Sequence, residues 1–286
     1  MEKWKNNMEF VLCIILFILM IAAGGERGFK GVLTLTGNAI MLVICIYCIS
    51  WGINVYVVTF FCSVIFAAFT LFLQNGKNKK TVSAIISVLV VMLLLTLMCA
   101  YIVYRSNVGG FGELYTYQEE ANFLHNEIHI KSNDLITAVV ILSLLGAIMD
   151  TSLSIATAEY EVMENNKSLT VSELIKSGNN IGKDILGTTI NTLVFAGFGE
   201  SLFLWMIFVR ENYTIAHILN SDAFLQEFII IAVANIGCLI IIPLTAFISA
   251  FIFKNTNIKA GEKSEAISLF NKEKNSQGEK NEQRYY

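Results

Sequence analysis

Two aspartates, Asp150 and Asp184, stand inside or beside long apolar runs, each with a hydroxyl residue four positions on, Ser154 and Thr188. Asn191 follows within the second run. Residues four apart share a helix face, so each carboxylate has a hydroxyl one turn away. Carboxylates and hydroxyls at hydrocarbon depth usually line a bundle interior or a wet cavity, where they hold an ion, a proton or a polar solute. The bland reading is an interhelical clamp, typically worth about 0.6 kcal/mol per hydrogen bond. Asp184 has a second bland reading, as a first-turn acid that complements the helix dipole.

Other candidates are weaker. The stretch HNEIH puts His125 and His129 on one helix face with Glu127 to the side, which is not the zinc-protease order. A solvated acidic loop is the expectation there, and no metal site is assigned. Cys45 and Cys48, three apart, read as small apolar packing residues rather than a redox or metal pair. All six cysteines fall in apolar runs, which argues against a secreted disulfide framework. No GxSxG, HExxH or GxxxxGK[ST] pattern is present, so the sequence offers no hydrolase elbow, no zincin helix and no P-loop. The expectation is a protein that is not an enzyme and carries no cofactor.

The elements that must position these residues are membrane spans. Only 15% of the 286 residues are charged, against roughly 25% in soluble domains. Spans need about 17–25 apolar residues. Seven stretches qualify, at about 9–24, 31–50, 53–73, 81–103, 134–159, 184–209 and 228–253. Backbone in hydrocarbon must satisfy its own hydrogen bonds, and these runs lack strand alternation, so the expected fold is an all-α polytopic bundle. The first run resembles a signal peptide behind Lys3 and Lys5, but a retained span is expected because GGERGFKG leads straight into the next. With seven spans, fifteen Lys and Arg fall on the side of the C-terminus and five on the other. That bias places the N-terminus outside and the C-terminus in the cytoplasm. Residues 254–286 are polar and read as a disordered cytoplasmic tail whose lysines sit near anionic lipid. Pro243 falls within the seventh span, where a kink is tolerated. Basic runs interleaved with aromatics are absent, so the bilayer, not nucleic acid, is the expected partner.

Depth brings the polar residues together. Asp150 lies about 24 Å along a helix entered near Asp134, and Asn191 about 10 Å along one entered near Asp184. Asp150, Ser154, Thr188 and Asn191 are therefore expected to meet between spans five and six. The connecting piece opens with Thr170 and Glu173 at capping-box spacing. Val171, Leu174, Ile175 and Ile181 then share a face, which predicts a short amphipathic helix in the inner interface. Gly178 and Gly182, four apart, allow close approach of another helix.

The order GAIMDTSLSIATAEYEV, then SELIKSGNNIGKDILGTTINTLVFAGFG, resembles the YibE/F-like family of bacterial multi-spanning membrane proteins. RGFKGVLTLT and LQNGKNKKTVSAIIS fit the same resemblance, which covers about Arg27 to Ile252. The positions it carries over are Asp150, Ser154, Ser177, Gly178, Asn180, Gly182, Asp184, Gly187, Thr188 and Asn191. It implies a permease-like protein of the bacterial cytoplasmic membrane. Larger members resemble this chain with an added N-terminal span and extracytoplasmic domain. The short form thus implies pairing with a longer relative, or a homo-oligomer.

Three functions compete. A transporter would use Asp150 and Asp184 to bind or relay an ion, with the 160–183 segment gating from inside. An assembly subunit would use its small-residue patches and basic tail to hold a membrane partner. An intramembrane aspartyl protease would need two carboxylates sharing a proton, but the flanking sequences do not resemble such enzymes.

Overall fold

The computed structural model describes residues 2–106 and 132–282. Every regular element among them is a helix: α1 Glu2–Ser50, α2 Val55–Asn75, α3 Lys79–Ser106, α4 Ser132–Asn165, α5 Val171–Glu200, α6 Leu202–Arg210, α7 Ile215–Leu219 and α8 Asp222–Glu282. The acidic stretch around His125, Glu127 and His129 lies outside the described residues.

Local chemistry sets the helix ends. The Asn54 side chain accepts from the backbone N–H of Tyr56 at 3.0 Å and of Val57 at 3.4 Å, which caps the start of α2. Gly76, at φ 73°, closes α2 in a backbone region that favours glycine. Asn78 caps α3 by accepting from the Thr81 N–H at 2.8 Å. The capping box expected at Thr170 and Glu173 is present at the start of α5.

Among the described residues, five helices are long and apolar enough to cross a membrane, and a sixth crossing follows if the bent pair α5–α6 is one span. The protein is therefore a multi-pass membrane protein, and the departure from the expected seven arises at α1. There the runs at 9–24 and 31–50 form one helical course, with 41 residues from Phe10 to Ser50. At about 1.5 Å per residue that is roughly twice the 30 Å hydrocarbon core. Gly25 breaks it, at φ 54° and ψ −129°. Beyond the break, Gly28 packs so closely on the Met20 carbonyl that no Cβ would fit. In an unbroken helix residues eight apart stand about 12 Å from each other, so the chain folds back sharply at Gly25.

Two further expectations differ from the structure. The amphipathic piece after residue 170 is not a separate helix: it forms the first turns of α5, which runs unbroken to Glu200. Gly178 and Gly182 lie on the buried face of α5 and seat it against neighbours, so neither interrupts it. The stretch expected at 184–209 is instead divided at Ser201, where α6 leaves α5 at 46°. The backbone of α8 runs as helix to Glu282.

Helices α4 and α8 form the centre. α4 packs on α2, α3, α5 and α8, while α8 packs on α3, α4 and α5. The core they share includes Ile141, Leu144, Ile148, Ile155, Ile241 and Ala246. α1 packs mainly on α2. Asn38 of α1 donates to Thr70 Oγ1 of α2 at 3.0 Å, and Gly37 admits the Phe69 ring. Tyr56 of α2 donates to Asp134 Oδ1 at 2.7 Å and ties the start of α2 to the start of α4.

Candidate functional site

The hairpin α4–α5 carries every residue singled out for the polar centre, but on its outward side. Ser143, Gly146, Asp150 and Ser154 follow one another along α4 at spacings of three and four, and all are exposed. Asn180, Asp184, Gly187, Thr188 and Asn191 do the same along α5. Spacings of this kind keep each set on one helix face. Among the described residues, Gly146 and Gly187 face open space, with no neighbour beyond their own helical backbone within 4 Å of a Cβ built on either. Among the described residues no hydrogen bond joins Asp150, Ser154, Asp184, Thr188 and Asn191 to one another. Thr188 instead returns its hydroxyl to its own helix, donating to the Ile185 carbonyl at 2.8 Å. Depth still matches, because the α4–α5 turn at 166–170 sets Asp150 and Asp184 at comparable distances from it, about 22 and 20 Å.

The opposite face of α5 is built differently. Leu174, Gly178, Gly182 and Gly197 are buried along it. A methyl at Gly182 would overlap Ile242 of α8, and one at Gly197 would overlap Ile231. At Gly178 it would overlap Glu159 Oε1 of α4, with the Ala246 methyl of α8 also close at 2.9 Å. The glycines thus remove bulk where α5 meets the central pair.

Glu159 is the acid that sequence reasoning missed. Its side chain is fully buried, at 0% exposure. Ser249 of α8 donates to its Oε2. Its Oε1 is buried and has no hydrogen-bond partner among the described residues. A chain of hydroxyls extends from this point through the core. The Ser249 oxygen lies 2.6 Å from the Thr245 carbonyl, Thr245 Oγ1 donates to Ser152 Oγ at 3.1 Å, and Ser152 donates to the Ala84 carbonyl of α3 at 3.2 Å. This network links α3, α4 and α8 beneath α5. A sequence signal for it existed: Ile148, Ser152, Ile155, Glu159 and Met163 fall at helical spacing along the buried face of α4.

A second polar contact marks the break. Ser201 is buried, and its hydroxyl lies 2.8 Å from the Gly197 carbonyl and 3.0 Å from Glu227 Oε2 of α8. The hydroxyl can bridge the last turn of α5 to α8 at the point where the helix bends. Six free thiols complete the inventory, with Cys45 buried and Cys48 half-buried on α1. Among the described residues, no group of three or more His, Cys, Asp or Glu is placed to hold a metal ion.

These features define a multi-pass α-helical membrane protein with polar residues on both faces of one hairpin. The sequence profile of the family described as YibE/F-like protein matches residues 12–255. The match spans most of the chain, which therefore belongs to the YibE/F-like family. No curated protein and no solved structure matches it.

Proposed function

We propose that this protein is permease-like and moves an ion, a proton or a small solute along the α4–α5 hairpin. The supporting observation is the pair of outward polar stripes, Asp150 and Ser154 on α4 with Asn180, Asp184, Thr188 and Asn191 on α5, at matching depth on adjacent helices. A carboxylate facing hydrocarbon at mid-span costs about 2.5–3.5 kcal/mol on insertion scales. Water or solute beside the stripes removes that cost. In this reading the chain crosses the cytoplasmic membrane seven times, with α1 divided at Gly25 and α5–α6 as one bent span. Fifteen Lys and Arg against five then put the N-terminus outside and the C-terminus in the cytoplasm.

The test is flux in reconstituted vesicles, following lumenal pH and a panel of inorganic cations. Asp150→Asn and Asp184→Asn are expected to abolish flux while thermal stability in detergent stays unchanged. A fully active Asn variant at either position would count decisively against this assignment.

A second reading rests on the empty surroundings of Gly146 and Gly187. The same outward face would seat another membrane protein, a longer YibE/F-like relative or a second copy, and the chain would be an assembly subunit without transport of its own. Cross-linking from a cysteine at position 187 and co-purification test it. A solitary protein with full transport activity argues against it. Neither reading calls for catalysis or a cofactor.

A further inference from the structure

The permease-like reading leaves open which species the buried side of the hairpin handles, and a role for Glu159 in transport rests on that reading. Glu159 sits between two apolar clusters. Toward the 166–170 turn lie Met163, Leu174, Ala250 and Phe253. On the other side lie Ile155, Ala156, Ile242 and Ala246 of the main core. The carboxyl is thus sealed from water at both ends.

Its hydrogen bonds are one hydrogen short. The Ser249 hydroxyl carries a single hydrogen, yet its oxygen contacts both Glu159 Oε2 and the Thr245 carbonyl. When that hydrogen goes to Thr245, the Glu159–Ser249 contact needs a hydrogen from the carboxyl. A metal cation does not fit the remaining oxygen. Oε1 faces Gly178 so closely that even a methyl there would overlap it, whereas a hard cation needs room for a shell of oxygen ligands.

Nearby charges are committed elsewhere. Lys80 of α3 pairs with Glu161 at 3.5 Å and lies over the Tyr160 ring at 4.9 Å. Lys254 of α8 donates to the Lys167 carbonyl at 3.1 Å. Glu164 of α4 and Glu173, Lys176 and Lys183 of α5 are exposed. No ion pair reaches Glu159 among the described residues. An unpaired carboxylate removed from water is heavily penalised, and a proton removes the charge without needing space.

We propose that Glu159 is an occluded proton site. When the Met163–Leu174–Phe253 cluster parts, the carboxylate takes a proton from hydronium and leaves water. On release, the carboxylic acid returns its proton to water and hydronium forms. The glycine face of α5 lets that helix shift over the site without a side chain in the way.

Infrared difference spectroscopy on the protein in nanodiscs tests this, with protons as the ligand and sodium chloride as competitor. The expected result is a buried carboxylic-acid C=O band that shifts in heavy water. It should be lost in Glu159→Gln and retained in Asp150→Asn and Asp184→Asn. Leu174→Ala should keep the band and speed its deuterium exchange, which decides the matter if Glu159→Gln does not fold. A band that persists in Glu159→Gln, exchange unchanged in Leu174→Ala, or a band removed by sodium at constant pH overturns the proposal. Flux separates this from the transport reading. Flux that is the same in wild type and Glu159→Gln overturns the proton site and leaves the permease. A Glu159 band with no flux under any gradient overturns the permease and leaves a proton-binding residue.

Discussion

Gly178 and Gly187 stand nine residues apart on one helix and meet opposite surroundings. Gly178 is wedged against Glu159 and Ala246, whereas Gly187 faces open space among Asp184, Thr188 and Asn191. The two faces of α5 are therefore polar for different reasons. The inner face trades side-chain bulk for proximity to one buried acid. The outer face leaves Asp184 and Asn191 exposed, while the Thr188 hydroxyl returns to its own helix.

The largest effect that would break this contrast is at Gly178. Gly178→Ala should destabilise the folded protein by about 1–3 kcal/mol, the usual cost of overpacking a tight interface. A denaturation series in mixed micelles measures it. An unchanged midpoint would mean that α5 does not lie as close to Glu159 as the geometry has it.

Hydroxyls sharpen the comparison next. Ser249→Ala removes the hydroxyl that contacts a fully buried carboxyl and should cost about 1–3 kcal/mol, the penalty for stranding a buried polar group. Thr188→Ala removes a hydroxyl that bonds only to its own helix on the exposed face, so its expected change is within about 0.5 kcal/mol. Equal shifts in the two variants would erase the distinction between the faces.

Much of this was legible in the chain. Apolar runs located the long helices, and Thr170 with Glu173 gave the start of α5 because a capping box is local chemistry. The spacing of Asp150 with Ser154 and of Asp184 with Thr188 puts each pair on one helix face. Spacing alone could not say whether that face turns inward, since this depends on which neighbour the glycines admit. Glu159 was overlooked for a related reason. A span drawn at 134–159 leaves Glu159 at its very end, beside Glu161 and Glu164, whereas α4 continues to Asn165 and buries it. The break at Ser201 lies within one apolar run and hydropathy is blind to backbone direction, whereas the polar GGERGFKG already divides 9–24 from 31–50 around Gly25. Ser201 itself remains at helical angles, φ −79° and ψ −3°.

The smallest effect is the most discriminating, because its sign matters. Gly187 is exposed in the middle of α5, and glycine weakens a helix interior by roughly 0.5–1 kcal/mol relative to alanine. With open space around it, Gly187→Ala should stabilise the isolated protein by about that amount, read as a raised melting temperature in detergent. Its effect in the native membrane separates the two functional readings. A water-lined permeation face tolerates one methyl, so stability and flux hold together. A face closed by a second helix uses the missing Cβ for close approach, as Gly178 does within the chain, and the same methyl then lowers recovery of the assembly. A variant that melts higher alone yet dissociates in membrane extracts would make Gly187 the outward counterpart of Gly178, and would give both faces of α5 the same architectural purpose.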